Sequence, residues 1–440
     1  MSPVPLDGPF DQRSDERRGR ARGFRAHVCD PSQGLDGPAG LVVRAGRVVA
    51  CGPDVALPPD TVTLPYTIVP GFVDLRVFTG EPGSEHRETL ASAGEAAVSG
   101  GVTSFLHMPD TDPVIDDAAL VEFVLSRGAA SPARVLPAAA LTRGLHGEQM
   151  AEMRLMHEAG ALAFTDGRRD IADAGLLKRL LTYGRDFGAL VMTTNRERSL
   201  AGSGVMNGGK VATRLGLPGI PREAEVIALE RDLRLVRMTG GRYHAATIST
   251  GESVEAIRRC KRDGVPVTCS ATVAHATLNE NDVEGYRTYF KLSPPLRHED
   301  DRQAVIEGLA DGTIDALCSG HDPQDADTKR RPFAEAADGA IGLETLFAAA
   351  MRLVHDERLT LSRVVDLLAC APARILGIEA GTLAPGSPAD FAAVDPDEPW
   401  QLTEESLRSR SANTCYENAR FSGRVVQTFV GGHRVYEASQ

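Results

Sequence analysis

Four residues of this chain are of types that bind metals or move protons and stand where loops would carry them: His107, Asp110, His275 and His321. A catalytic zinc takes about three ligands drawn from His, Cys, Asp and Glu, often paired two apart on a strand or four apart on a helix. None of these four stands at either spacing. For His275 and His321 the reading is loop hydrogen bonding, and His244, inside the apolar run RYHAATIST, reads as a satisfied core histidine. The seven cysteines (Cys29, Cys51, Cys260, Cys269, Cys318, Cys370, Cys415) are scattered and form no C-x-x-C pair. They read as reduced core thiols, not as a disulfide framework or a zinc knuckle. The glycine-rich GSGVMNGGK (202–210) lacks the Lys-Ser/Thr ending of a phosphate loop.

The elements that must position these groups are legible from periodicity. Short alternating strands with Gly, Pro and Asp turns fill 25–63, as in GLVVRAGRVVACG, and the same texture returns in GRVVQTFVGGHRVYE near the end. Two similar ends around a different middle predict one small β-sandwich domain built from both termini. From Tyr66 on, short apolar runs such as VTSFLHM, ALAFT, FGALVMTT and VPVTCS alternate with helix-length amphipathic segments. About eight such units in roughly 300 residues fit a (β/α)8 barrel, an α/β fold whose chemistry sits at the C-terminal ends of the strands. The expected division is a disordered tail over 1–22, the first part of the small domain over 23–66, the barrel over 67–378 and the second part of the small domain over 379–440.

Composition narrows the function classes. A net charge of -12 argues against nucleic-acid or anionic-membrane partners. The basic run at 17–25 reads as a solvated tail. No stretch approaches the roughly 20 apolar residues of a membrane span, and the first 25 residues lack a signal-peptide core. A cytoplasmic location is the expectation.

The segment PGFVDLRVFTGEPGSEHRETLASAGEAAVSGGVTSFLHMPDTDPV (70–114) resembles dihydroorotase, of the amidohydrolase superfamily. Further stretches agree in order, among them GIPREAEVIALERDLRL, KLSPPLRHEDDRQAVIEGLADGTIDAL and PARILGIEAGTLAPGSPADFAAVDPDEPW, so the likeness runs from about 23 to 437. The resemblance implies a strand ending in His-x-His, whose imidazoles point the same way onto zinc. Here those positions hold Arg76 and Phe78. A guanidinium has no lone pair to give, and its repulsion with a dication is roughly 8 kcal/mol at about 4 Å and an effective dielectric of 20. The family's other two metal histidines correspond to Thr194 and Thr247, and its carboxylate ligand and general base to Gly320. One acid of the metal set is kept, Asp166. At the substrate positions the family's arginine, its Met-Pro-Asn-Thr asparagine and its Asn-Pro-Pro-Leu-Arg asparagine become Gly80, Asp110 and Ser293.

These replacements predict that no residue is catalytic, that no zinc or other cofactor is bound, and that the chain is not an enzyme. The Arg76 guanidinium is expected to stand in for the metal's charge and pair with Asp166, with a swing into solvent as the alternative. Within the family the sequence resembles the inactive chains that accompany aspartate transcarbamoylase in some bacteria. That implies a structural subunit for the catalytic chain of that enzyme in pyrimidine biosynthesis, in a homo- and hetero-oligomer. Two other readings stand beside it: an active cyclic-amide hydrolase with a relocated metal site, and a metabolite-binding pseudoenzyme.

Overall fold

The computed structural model describes residues 19–439, so most of the tail expected over 1–22 lies outside the described residues. The chain opens with four strands, β1 (Arg22–Asp30), β2 (Leu35–Arg44), β3 (Arg47–Gly52) and β4 (Val62–Pro70). It closes with β15 (Phe391–Gln401), β16 (Arg420–Val430) and β17 (His433–Glu437). Together they form one sheet in the order β17-β16-β15-β4-β1-β2-β3, joined between the two ends of the chain where β15 pairs antiparallel with β4. In a flat sheet β1 and β16, three positions apart, would be roughly 14 Å from each other. Yet the Phe24 ring centroid lies 5.5 Å from that of Phe429 and 5.3 Å from that of Phe391. The sheet therefore curls over itself and encloses its own core of Phe24, Leu41, Ile68, Phe391 and Phe429. One continuous sheet does the work of two layers.

The middle of the chain supplies the barrel. Its eight parallel strands are β5 (Phe72–Val77), β6 (Val102–His107), β7 (Arg134–Ala139), β8 (Ala163–Phe164), β9 (Leu190–Thr194), β12 (Arg242–Ala246), β13 (Val267–Thr272) and β14 (Ala316–Cys318). Two short strands between them, β10 (Met206–Asn207) and β11 (Gly219–Ile220), pair apart from the barrel. The ring closes where Val77 bridges His321 and the Phe78 amide donates to the His321 carbonyl at 2.8 Å. Alternation decides what goes where: Val73, Leu75, Leu106, Leu136 and Met192 fill the barrel, while Phe72, Phe105, Val191 and Tyr243 face the helices.

The helices form for local reasons. The helix Leu90–Ser99 starts on a Thr89/Ser92 capping box, and Ala174–Arg185 starts on Asp173 and buries Leu176, Leu177, Leu180, Leu181 and Gly184 along one face. Each such leucine contributes roughly 1.5–3 kcal/mol by leaving water. The barrel is fastened to the curled sheet by Arg134, paired with Asp390 at 2.9 Å, both largely buried.

A bulge in β5 bears directly on the mouth. Asp74 faces Phe105 and Val77 faces His107, so three steps on β5 match two on β6. The extra residue re-aims the chain at the strand end, and both Arg76 and Phe78 line the barrel mouth.

Candidate functional site

The C-terminal ends of β5, β13 and β14, with the loops after them, enclose a cavity of about 50 Å³ lined by Arg76, Phe78, Arg168, His275, Ser293, Gly320 and Asp322, among others. Its charged centre is Arg168. The guanidinium makes a two-pronged contact with Asp322, Nε to Oδ2 at 3.0 Å and Nη2 to Oδ1 at 2.6 Å. Its Nη1 lies 3.4 Å from Asp110 Oδ1, and its backbone amide donates to the same oxygen at 3.1 Å. The guanidinium carbon stands 3.8 Å from the centroid of the Phe78 ring, so the phenyl face carries it from below. Burial works against the Arg168 charge, but Asp322 and Asp110 outweigh it and push its pKa up.

Arg76 also lies against Phe78, 5.1 Å from the ring centroid, and donates to Thr194 Oγ1 at 3.1 Å. Burial pushes its pKa down, against partial support from Cys318 and Asp110. It does not pair with Asp166: among the described residues no ion pair joins them. Asp166 is satisfied elsewhere, accepting from the amides of Leu141 (3.0 Å) and Thr142 (2.9 Å) and from the Thr142 hydroxyl. Burial still pushes the Asp166 carboxyl up to about 6. The expected Arg76–Asp166 pair fails because Asp166 already has three donors, and the cation beside the acids is Arg168.

The other predicted positions divide clearly. Gly320 and Ser293 line the cavity, and Thr194 holds Arg76. Thr247 is buried in a left-handed conformation (φ 57°) with its hydroxyl on the Ala246 carbonyl at 2.8 Å. Gly80 is away from the cavity, and a Cβ there would collide with the Ser84 carbonyl, so this backbone admits no arginine. His275 accepts or donates to Thr272 Oγ1 at 2.6 Å and reaches the Pro294 carbonyl at 3.1 Å, and burial pushes its pKa down to about 4. His321 Nδ1 accepts from the Gly342 amide at 3.3 Å, while Nε2 faces Glu88 at 3.6 Å. His244 is bonded to Thr268 and Ser270 at 2.9 and 3.0 Å. All three histidines take the roles their sequence context predicts.

Sequence reasoning missed Arg168 and Asp322. Both were within reach: Arg168 follows Asp166 by two residues in AFTDGRR, and Asp322 directly follows His321 in SGHDPQ. Each is at the end of a barrel strand, where a charged residue warrants attention whether or not it matches a motif.

Do these residues fit a metal? Among the described residues no three His, Cys, Asp or Glu side chains converge as a ligand set. The strand-end pair is a guanidinium and a phenyl ring, and Arg168 adds a second cation to the same space. At Gly320 the backbone is left-handed (φ 62°), and a Cβ would lie 2.8 Å from Thr272 Cγ2, so a carboxylate there would be strained. The residues present do not fit zinc at the family's position.

The dihydro-orotase-like family matches residues 66–253, and the amidohydrolase family matches 200–435. A protein of Anaeromyxobacter dehalogenans named dihydroorotase is 44% identical over 93% of this chain and 96% of its own length. A dihydroorotase of Pelobacter propionicus is 42% identical over 93% and 97%. Among solved structures, the L-hydantoinase (dihydropyrimidinase) of Arthrobacter aurescens superposes with a TM-score of 0.86 at 23% identity, covering 95% of this chain and 96% of that one. The last likeness establishes the fold. The relatives overturn the expectation that the chain is not an enzyme, since proteins so similar across nearly its whole length bear an enzyme's name. The expectation of a chain without a cofactor is overturned on the same ground, because hydrolysis in the matched amidohydrolase family is typically metal-dependent.

Proposed function

The chain belongs to the dihydroorotase family of amidohydrolases, and from that premise we propose that it is a cyclic-amide hydrolase of dihydroorotase type, acting at the barrel mouth. The observation that carries the reading is the Arg168–Asp322 pair lining the cavity beside a second buried guanidinium, Arg76. When water opens a cyclic amide, the carbonyl oxygen gains negative charge, the water loses a proton and the ring nitrogen gains one. Arg168 and Arg76 supply positive charge where the oxyanion forms. Asp322 takes the proton from water and returns it to the departing nitrogen. Phe78 holds Arg168 in place through its ring face. The cavity of about 50 Å³ exceeds the roughly 10–15 Å³ that one water needs and is small for a substrate ring.

The test is turnover of dihydroorotate and of hydantoin by protein of measured metal content, both chelated and zinc-supplemented. Ring opening that falls about 10²–10⁴-fold in Asp322→Asn is the expected result. No turnover by folded wild-type protein in either metal state overturns the proposal.

We also propose that the chain works in a cytoplasmic complex with aspartate transcarbamoylase. The support is family analogy: the sequence resembles the dihydroorotase-like chains that accompany that enzyme in some bacteria, with the framework kept while the mouth is changed. Light scattering on the two co-expressed proteins should give one mass of defined stoichiometry; two separately eluting proteins would remove this part.

A further inference from the structure

A second concavity lies beside the mouth. The loops after β7, β8 and β9 enclose a groove of about 480 Å³, within the roughly 300–1,000 Å³ of small-molecule sites. Four arginines line it: Arg168, Arg169, Arg196 and Arg198. Two of them are already matched. Arg198 is held by Asp170 at 2.5 Å, and Arg168 by Asp322. The other two are not. Among the described residues Arg169 spends one nitrogen on the Leu145 carbonyl at 2.9 Å and has no carboxylate partner, and Arg196 has neither a hydrogen bond nor an ion pair, only a longer-range attraction to Asp338. The groove wall includes one further acid, Glu148, which is exposed at the rim.

We propose that this groove binds the dianion of a phosphate monoester, gripped by Arg169 and Arg196 and oriented by Arg198. Two unmatched guanidiniums equal the charge of such a dianion, and their planar forks fit phosphate oxygens two at a time. A monocarboxylate would leave one of them uncompensated. Arg168 lines both this groove and the mouth cavity, so a bound phosphate competes with Asp322 and Asp110 for the same guanidinium. Occupancy of the groove thereby loosens the Arg168–Asp322 pair. The binding claim does not depend on the hydrolase reading, because it rests on residues outside the reacting pair.

The experiment is calorimetric titration of the intact chain with ribose 5-phosphate, inorganic phosphate and malate. Saturable binding of both phosphates, weakened roughly tenfold or more in Arg169→Ala and in Arg196→Ala, is the expected result. Both side chains lack carboxylate partners, so unchanged thermal unfolding should show that neither variant has lost its fold. Asp322→Asn, which leaves Arg168 held by Asp110 alone, should bind phosphate more tightly than wild type. Binding of ribose 5-phosphate but not of inorganic phosphate places part of the grip on the sugar, and keeps the phosphate site only if both arginine variants weaken it. Absence of phosphate binding, binding indifferent to both arginine variants, or malate binding as tight as ribose 5-phosphate overturns the proposal.

Discussion

Two arginine–carboxylate pairs stand near the mouth of this barrel, chemically alike and placed in opposite circumstances. Arg297 and Glu225 are each 3% exposed and saturated. The Arg297 guanidinium donates to Ser249 Oγ at 3.0 Å, Asn207 Oδ1 at 3.1 Å and the Ile220 carbonyl at 3.4 Å, besides Glu225 at 3.3 Å. Glu225 accepts from the amides of Ser249 (2.8 Å) and Thr250 (3.0 Å) and from both their hydroxyls. Four of the five guanidinium N–H groups and both Glu225 oxygens are used, so the pair holds the loops after β12 and β13 to the small β10–β11 sheet. Arg168 and Asp322 border a cavity on one side and a groove on the other, with the guanidinium resting on a phenyl face. A buried ion pair is structural when its hydrogen bonds are complete and chemically available when a face is left open.

Cutting the saturated pair should have the largest effect on the fold. Arg297→Ala leaves Glu225 buried without its counter-charge, and a loss of about 3–5 kcal/mol is expected from urea unfolding midpoints. Asp322→Asn should cost stability only about 1 kcal/mol, because the partly exposed Arg168 can turn to water. Its loss should instead appear in turnover. Equal losses of stability in the two variants would erase the distinction between the pairs.

The pairs should also differ in their response to pH. Burial alone would raise the Glu225 pKa, but Arg297 and the Ser249 contacts bring it below the ordinary value near 4.5. A depressed carboxylate contributes stability above its unfolded pKa and loses it as pH falls through the folded value. Glu225→Gln should therefore flatten the acid side of the melting-temperature profile. A variant as acid-sensitive as wild type would place the acid transition elsewhere, for instance at His244 and His275. Burial pushes those two down to about 3 and about 4, and their stability is lost as pH drops below the ordinary 6.5.

The barrel, the sheet made from both ends and the family were legible because periodicity and ordered motifs extend over hundreds of residues. Of the positions read as departures from the family pattern, Arg76, Phe78, Gly320 and Ser293 line one cavity at the mouth. What replaced the pattern was not. Motif comparison asks what stands at an old position, whereas Arg168 reaches the centre from a position the motif ignores, two residues beyond Asp166. Partner choice also escaped it. Whether Asp166 needs a cation depends on the amides of Leu141 and Thr142, which come from the end of another strand and have no sequence signature. Nor does sequence reveal that Gly80 packs against the Ser84 carbonyl. The inference from an inactive-looking motif to an inactive chain is overturned by relatives, similar over nearly the whole chain, that bear an enzyme's name.

The smallest expected effect concerns Asp110, the second carboxylate on Arg168. Burial raises its pKa above the ordinary 3.8, and Arg168 offsets this only in part because its short contacts go to Asp322. Asp110 Oδ2 is buried without a hydrogen-bond partner, packed on the Cα of Gly167. A raised carboxylate contributes its stability below the unfolded pKa and loses it as pH rises through the folded value. At neutral pH Asp110 therefore carries a penalty, the reverse of Glu225. Asp110→Asn restores the residue that the dihydroorotase pattern has there, keeps the oxygen that accepts from the Arg168 amide and removes the charge. A stability gain of about 1 kcal/mol at neutral pH, shrinking as the buffer is made acidic, is the expected outcome. A loss at neutral pH would mean that Arg168 needs both carboxylates, and that the open pair is as tightly interlocked as the saturated one.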